Sequence, residues 1–295
     1  MARKRRRKVL KQNILNYAVW AVFLFALFMF LLNLYGDWKD NRQQVQKRER
    51  EIISWAVITG EPVRLPSAGV EMIFQDPSVA DVMAEYQSTP TILPEYIDLY
   101  QQNSDLIGWL SIEDTVIDYP VMQCISDENY YLTYDFYREE NKNGCLILDN
   151  DSVAGVGTRR QNYENGTRPS TNLMIHGHTM KSGQMFGSLK LYEDKEYGMA
   201  HSTICFDSLY ERREYELIAV FYSQVFYENE DVFKYYRFFQ ADTQEAFDDW
   251  YNNIKELSLY DTGVTAEFGD EFITLSCCAY HVENGRFVVV GKRVR

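Results

Sequence analysis

The stretch Glu271-Phe272-Ile273-Thr274-Leu275-Ser276-Cys277-Cys278 decides the fold. Apolar and β-branched residues dominate it, it ends in two adjacent thiols, and a polar turn (His281-Val282-Glu283-Asn284-Gly285) separates it from Arg286 and a further apolar run over 287–292. Short apolar runs joined by a glycine-containing turn spell a β-hairpin. Working backwards, the same punctuation recurs at 107–112, 116–121, 145–148, 173–176, 203–206 and 215–225. With 271–278 and 287–292 these make an antiparallel, mainly β domain. One helix interrupts the late strands. Asp242 is placed to cap it with Glu245 three residues on, and Phe247, Trp250, Tyr251, Ile254 and Leu257 follow at helical spacing as a packing stripe. A second short helix is expected over 94–102, and the polar, turn-rich segment 150–172 reads as a surface loop.

The 295 residues are 46% hydrophobic and 25% charged, which excludes a disordered or collagen-like chain. The formal charge of −13 is unevenly placed. Arg3, Lys4, Arg5, Arg6, Arg7, Lys8 and Lys11 precede residue 35 with no acidic residue among them, so the remainder carries 23 basic against 43 acidic side chains. A body that acidic repels polyphosphate, so nucleic acid is not an expected partner. Residues 14–35 (ILNYAVWAVFLFALFMFLLNLY) carry no charge and, as a helix, span roughly 33 Å, the thickness of a bilayer's hydrocarbon. Tyr17, Trp20 and Tyr35 lie towards its ends, and the basic cluster ahead of it sets the N-terminus inside the cell. A cleaved secretory signal is the competing reading, but no small-x-small cleavage site follows. The expected organisation is a cytoplasmic basic tail (1–13), a transmembrane signal-anchor (14–35), a stalk with N-terminal helices (36–94, with helices over 37–58 and near 78–86) and an extracellular domain (95–295).

Five cysteines (Cys124, Cys145, Cys205, Cys277, Cys278) are too few and wrongly spaced for a disulfide scaffold, and their odd number leaves at least one free thiol. A thiol at a strand end reaches a cleft without exposing the rest of the strand. Neighbouring strand residues face opposite ways, so Cys277 and Cys278 cannot both face one cleft. The residues alone leave open whether either is reactive or both are core. Two of the four histidines, His176 and His178, follow the run 172–175 around Gly177. Their spacing suits a metal pair, but no third ligand lies nearby, and an imidazole beside a free thiol can lower its pKa and protonate a leaving amine. Arg286, eight residues after Cys278, is brought alongside the thiol by a hairpin, where a guanidinium can hold an oxyanion; pairing with a carboxylate is its plainer use.

At these residues the sequence resembles the class B sortases. Thr274-Leu275-Ser276-Cys277-Cys278 is similar to the family's TLxTC signature, Gly177-His178 to its histidine motif, and Asn284-Gly285-Arg286-Phe287-Val288-Val289 to its arginine motif. Asn103-Ser104-Asp105-Leu106-Ile107-Gly108-Trp109-Leu110, Ile117-Asp118-Tyr119-Pro120-Val121-Met122-Gln123 and Met185-Phe186-Gly187-Ser188-Leu189 add to the likeness, which covers roughly 95–293 in family order. One position departs: Cys277 stands where the signature has threonine.

The resemblance implies an eight-stranded sortase-type β-barrel with an N-terminal helical extension and a helix before the seventh strand. It implies a cysteine transpeptidase of the thiol-peptidase class in which Cys278 is the nucleophile, His178 the general acid/base and Arg286 the oxyanion and substrate stabiliser, with Ser276 as a substrate contact. It implies no metal and no cofactor. The implied partners are secreted proteins bearing a C-terminal sorting signal and an amine of the peptidoglycan cross-bridge or of a pilin, met at the outer face of a Gram-positive membrane. Two other classes stay in view: an exported cysteine peptidase that only hydrolyses, and a catalytically silent β domain that binds wall components.

Overall fold

The computed structural model describes residues 63–64, 71–72, 90–158 and 167–295. The expected basic tail, membrane-spanning run 14–35, stalk 37–58 and short helix near 78–86 lie outside the described residues. Before residue 90 the description is limited to a two-residue antiparallel ladder, Val63–Arg64 with Glu71–Met72. No described helix is long and apolar enough to cross a membrane.

Eight strands close into a barrel: β1 (Leu106–Ser111), β2 (Asp118–Met122), β3 (Leu146–Leu148), β4 (Asn172–Gly177), β5 (Thr203–Ser208), β6 (Arg212–Gln224), β7 (Phe272–Cys278) and β8 (Gly285–Arg293). Their neighbour order is β8-β6-β5-β1-β2-β3-β4-β7, with β7 returning to β8. Each expected strand is present, its ends within three residues of the expectation. The expectation of purely antiparallel pairing is corrected, because β2–β3 and β4–β7 run parallel. The connections after β2 and after β4 are long enough to cross the barrel, and a parallel neighbour requires such a crossover.

Inward-facing residues of the strands, among them Val121, Leu146, Ile175, Leu217, Ile273, Leu275 and Val289, fill the barrel. The outer faces of β4, β6, β7 and β8 are covered too. The helix α4 (Gln244–Leu257) lays Phe247, Trp250 and Ile254 on Phe272, Val288 and Val290, and Phe238 stacks on Trp250 at 4.3 Å. Burial on both faces makes β7 and β8 read as nearly continuous apolar runs. On the far side, α1 (Pro94–Gln102) buries Tyr96 and Leu99 against Leu106 and Trp109. Two short helices, the one-turn α2 (Tyr130–Thr133) and the six-residue α3 (Lys195–Ala200), lie in the connections.

Two local expectations change. The cap of α4 is Thr243, whose Oγ1 accepts from the Ala246 N–H at 3.2 Å, and Asp242 lies one residue outside. Thr243 has the extended backbone a cap needs and stands three residues before the first N–H it can reach. Leu257, at the last turn, is exposed rather than part of the stripe. The segment 150–172 is a loop where described, but Ser152, Ser170 and Thr171 are buried. The Ser152 hydroxyl accepts from Met174 N and the Ser170 hydroxyl from Val153 N, so the loop is pinned to β4.

The barrel end remote from the two thiols is clamped by charge. Arg213, fully buried, donates to Glu211 at 2.6 Å, and Arg293 bridges Glu211 (3.3 Å) and Glu271 (2.8 Å). Removing one partner strands a buried cation, so Glu211→Ala is expected to cost about 3 kcal/mol. Urea titration of the variant against the parent measures it.

Candidate active site

β7 ends at the two thiols, and its alternation separates them. Ile273, Leu275 and Cys277 face the barrel interior, whereas Cys278 is exposed at the strand end. Burial pushes the Cys277 thiol up to about 11; the nearby Thr179 hydroxyl and the Arg286 charge oppose this, and Cys278 adds to it. At neutral pH Cys277 is a small apolar filler. Cys145, also buried, is driven still further up, first by burial and then by Asp135.

The parallel neighbour of β7 is β4, in the register His176↔Ser276 and Gly177↔Cys277. Gly177 therefore points inward beside Cys277. A Cβ there would sit 2.5 Å from Phe186 Cδ2 and 2.6 Å from Leu146 Cδ2. Only glycine lets the strand carry a histidine on each side of this position while the barrel closes beneath it. Gly177→Ala is expected to overpack the interior and lower stability by about 1–3 kcal/mol, with a loss of activity that tracks unfolding; thermal denaturation of the variant checks it.

His176 and His178 part company in the structure. His176 Nε2 lies 3.0 Å from Asp149 Oδ2. Burial works against the Asp149 charge, but the His176 bond and the Asp151 N–H outweigh it and hold the carboxyl below its usual range. His178 Nε2 instead meets the carbonyl oxygen of Leu132 on α2 at 2.8 Å. Among the described residues no three metal-ligating side chains converge.

On the other flank, β8 sets Arg286 directly across from Cys278 in antiparallel register. The turn that does this puts Asn284 in the left-handed region, φ 54°, and brings Gly285 so close to the Ala279 carbonyl that a Cβ would approach to 2.3 Å. The guanidinium donates to the carbonyls of Asn284 (3.2 Å) and Gly285 (3.0 Å), and among the described residues it meets no carboxylate, the plainer use considered for it.

Cys278, His178, Arg286 and Ser276 all line one groove of about 320 Å3, together with Asp149, Glu128 and Leu132. Ser276 is buried in the groove's floor, its hydroxyl 2.7 Å from that of Tyr235. The sequence reading missed Tyr235, Asp149, the Leu132 carbonyl and Thr179, whose hydroxyl donates to the Cys278 carbonyl at 2.6 Å. Each reaches the site through a non-local pairing, and none carries a motif of its own.

A closed barrel of eight strands that gathers a thiol, an imidazole and a guanidinium at one groove has the architecture of the sortases. No protein-family model matches the chain. It is 34% identical over 203 residues to sortase B of Listeria monocytogenes, a match covering 68% of this chain and 74% of that protein. A Bacillus anthracis structure described as similar to sortase B aligns with a TM-score of 0.56 at 30% identity, covering 75% of this chain and 99% of that one. The Staphylococcus aureus sortase B–substrate complex shares the fold, with a TM-score of 0.57 at 23% identity over 73% of this chain and 91% of that one. The chain belongs to the sortase B family, cysteine transpeptidases of the cell wall.

Proposed function

We propose that this sortase is held at the outer face of the membrane by residues 14–35 and joins secreted proteins to a wall amine through a thioester on Cys278. The Cys278 thiolate attacks the carbonyl of a threonine in a C-terminal sorting signal. The developing oxyanion is met by the Arg286 guanidinium, and His178 gives its proton to the departing amine as the C–N bond breaks. The acyl group is then bonded to sulfur. An incoming amine, from a peptidoglycan cross-bridge or a pilin lysine, attacks the thioester, loses a proton to the now neutral His178 and expels the Cys278 thiolate. Two steps through a thioester conserve the bond energy that hydrolysis would lose. Ser276, bonded to Tyr235, supports the groove floor beneath the substrate.

The observation that carries this reading is the register of three strands. The antiparallel pair Arg286↔Cys278 and the parallel pair Gly177↔Cys277 bring the strand positions of Arg286 and His178 beside that of the exposed Cys278, which supports the assignment. The Staphylococcus aureus sortase B that shares this fold is itself a substrate complex, in keeping with a substrate groove on this fold. The test is ligation. The full-length protein in detergent is given a library of peptides randomised around a threonine, with triglycine as acceptor. A product carrying triglycine after the threonine is expected. Hydrolysed peptide alone would make the protein a peptidase, and no turnover with any peptide would make it a binding domain.

A further inference from the structure

We propose that the one-turn helix α2 is the positioning element for His178: the Leu132 carbonyl, wedged against Gly144 and steadied by a hydrogen-bond network under Tyr131, fixes the imidazole as its Nε2–H tautomer. The inference rests on His178 as the proton donor and says what makes it one. A carbonyl oxygen only accepts, so the nitrogen 2.8 Å from Leu132 O must carry a hydrogen. That leaves Nδ1 as the nitrogen whose proton comes and goes. If the carbonyl moved, the ring would be free to turn or to place its proton on the other nitrogen, and the proton would no longer be delivered along one fixed line.

A single helical turn is too short to hold itself in place. Here it is held from three sides. Flanking Leu132, the Tyr131 carbonyl accepts from Cys145 N at 2.8 Å and the Thr133 carbonyl from Asn141 N at 2.8 Å. Against it lies Gly144, with φ 57°, where a Cβ would come within 2.3 Å of Tyr131 O and 2.7 Å of Leu132 O. Both the left-handed backbone and the contact require glycine, and the oxygen so contacted is the one His178 uses. Beneath the turn the Tyr131 hydroxyl donates to Asp105 (2.7 Å) and accepts from Asn103 Nδ2 (2.8 Å), while Arg138 reaches Asn103 Oδ1 (3.1 Å) and Asp105 (3.2 Å). Burial raises the Tyr131 phenol well above its ordinary range, with Asn103 opposing and Asp105 adding to the shift, so it stays a donor. Tyr131 and Asn103 are almost wholly buried, with Asp105 and Arg138 closing the network towards the surface, and hydrogen bonds between buried partners resist displacement.

The chain has four histidines, so 15N-histidine labelling of the full-length protein in detergent gives a readable set of imidazole signals, with His178 assigned by its absence in His178→Gln. The parent is expected to show His178 protonated on Nε2 with one sharp pattern. In Gly144→Ala that pattern should broaden or change to mixed tautomers, and formation of the Cys278 thioester from the randomised peptide library should slow by about 10–100-fold, the scale of an ångström's misplacement. The other three histidine signals should stay unchanged. Tyr131→Phe keeps the ring's volume and removes the hydroxyl, and a smaller change in the same two readouts is expected. It decides the matter if Gly144→Ala does not fold. Slower acylation with the tautomer untouched, or an altered tautomer with full acylation, would overturn the proposal. If the parent acylates with no peptide, the catalytic reading fails, while the tautomer comparison still decides whether Leu132 and Gly144 position the ring.

Discussion

Cys278→Ala is expected to abolish ligation, by on the order of 10⁴-fold or more, whereas Cys277→Ala should retain it. A covalent mechanism has no substitute for its nucleophile, and loss of that group alone costs nearly all of the rate. The two thiols are separated by one step of strand alternation. Cys277 packs with Leu275 inside the barrel, and with burial pushing its thiol up to about 11 it stays protonated at pH 7. Cys278 stands exposed in the groove, opposite Arg286. Timed alkylation at pH 7 followed by peptide mapping should therefore mark Cys278 long before Cys277 or Cys145. The raised Cys277 pKa also has a stability consequence of known sign. Its contribution is complete below the ordinary thiol range and declines as pH rises towards about 11, so Cys277→Ala should flatten the alkaline fall in stability.

Arg286→Lys is expected to lower the rate of thioester formation by about 10²–10³-fold with the fold intact. Lysine keeps the charge but not the planar fork. In the structure Nη1 alone makes both bonds, to the carbonyls of Asn284 and Gly285, and the guanidinium carries further N–H donors in a fixed plane. An ammonium can replace the one nitrogen that meets those carbonyls, but it has no further N–H donors held at a fixed angle to offer an oxyanion. Thermal denaturation should be almost unchanged, because Arg286 forms no ion pair among the described residues. Arg286→Ala should do no worse than Lys in stability and at least as badly in rate. A variant with full activity and lysine at this position would show that charge alone is enough.

How much of this was readable from the amino acids depends on the distance over which each contact is made. The hairpin β7–β8 is local: its turn, its glycine and the eight residues from Cys278 to Arg286 are adjacent in sequence, and the cross-strand pair follows from them. Strand alternation alone separated the two thiols. The choice of Cys278 over Cys277 rests on a family signature, and the structure adds that Cys277 is buried and Cys278 exposed. The parallel pairing of β4 with β7 was not legible, since the strands lie about a hundred residues apart and nothing in either marks the other as its neighbour. Consequently the Thr179 bond to the Cys278 carbonyl and the Leu132 bond to His178 were out of reach. Likewise the spacing of Asp242 and Glu245 imitates a capping box, but the helix begins one residue later and the threonine takes the role.

The central claim is a thioester on Cys278 poised between water and an amine, and intact-mass analysis tests it most directly. Full-length protein is mixed with the threonine-centred peptide library, quenched in acid and weighed, then mapped by fragmentation, with and without a chase of triglycine. The expected result is an added acyl mass on the peptide containing Cys277 and Cys278, carried by Cys278, which disappears on the chase as triglycine-ligated product accumulates. An acyl group on Cys277, or an adduct that leaves only as hydrolysed peptide whatever amine is supplied, would contradict it.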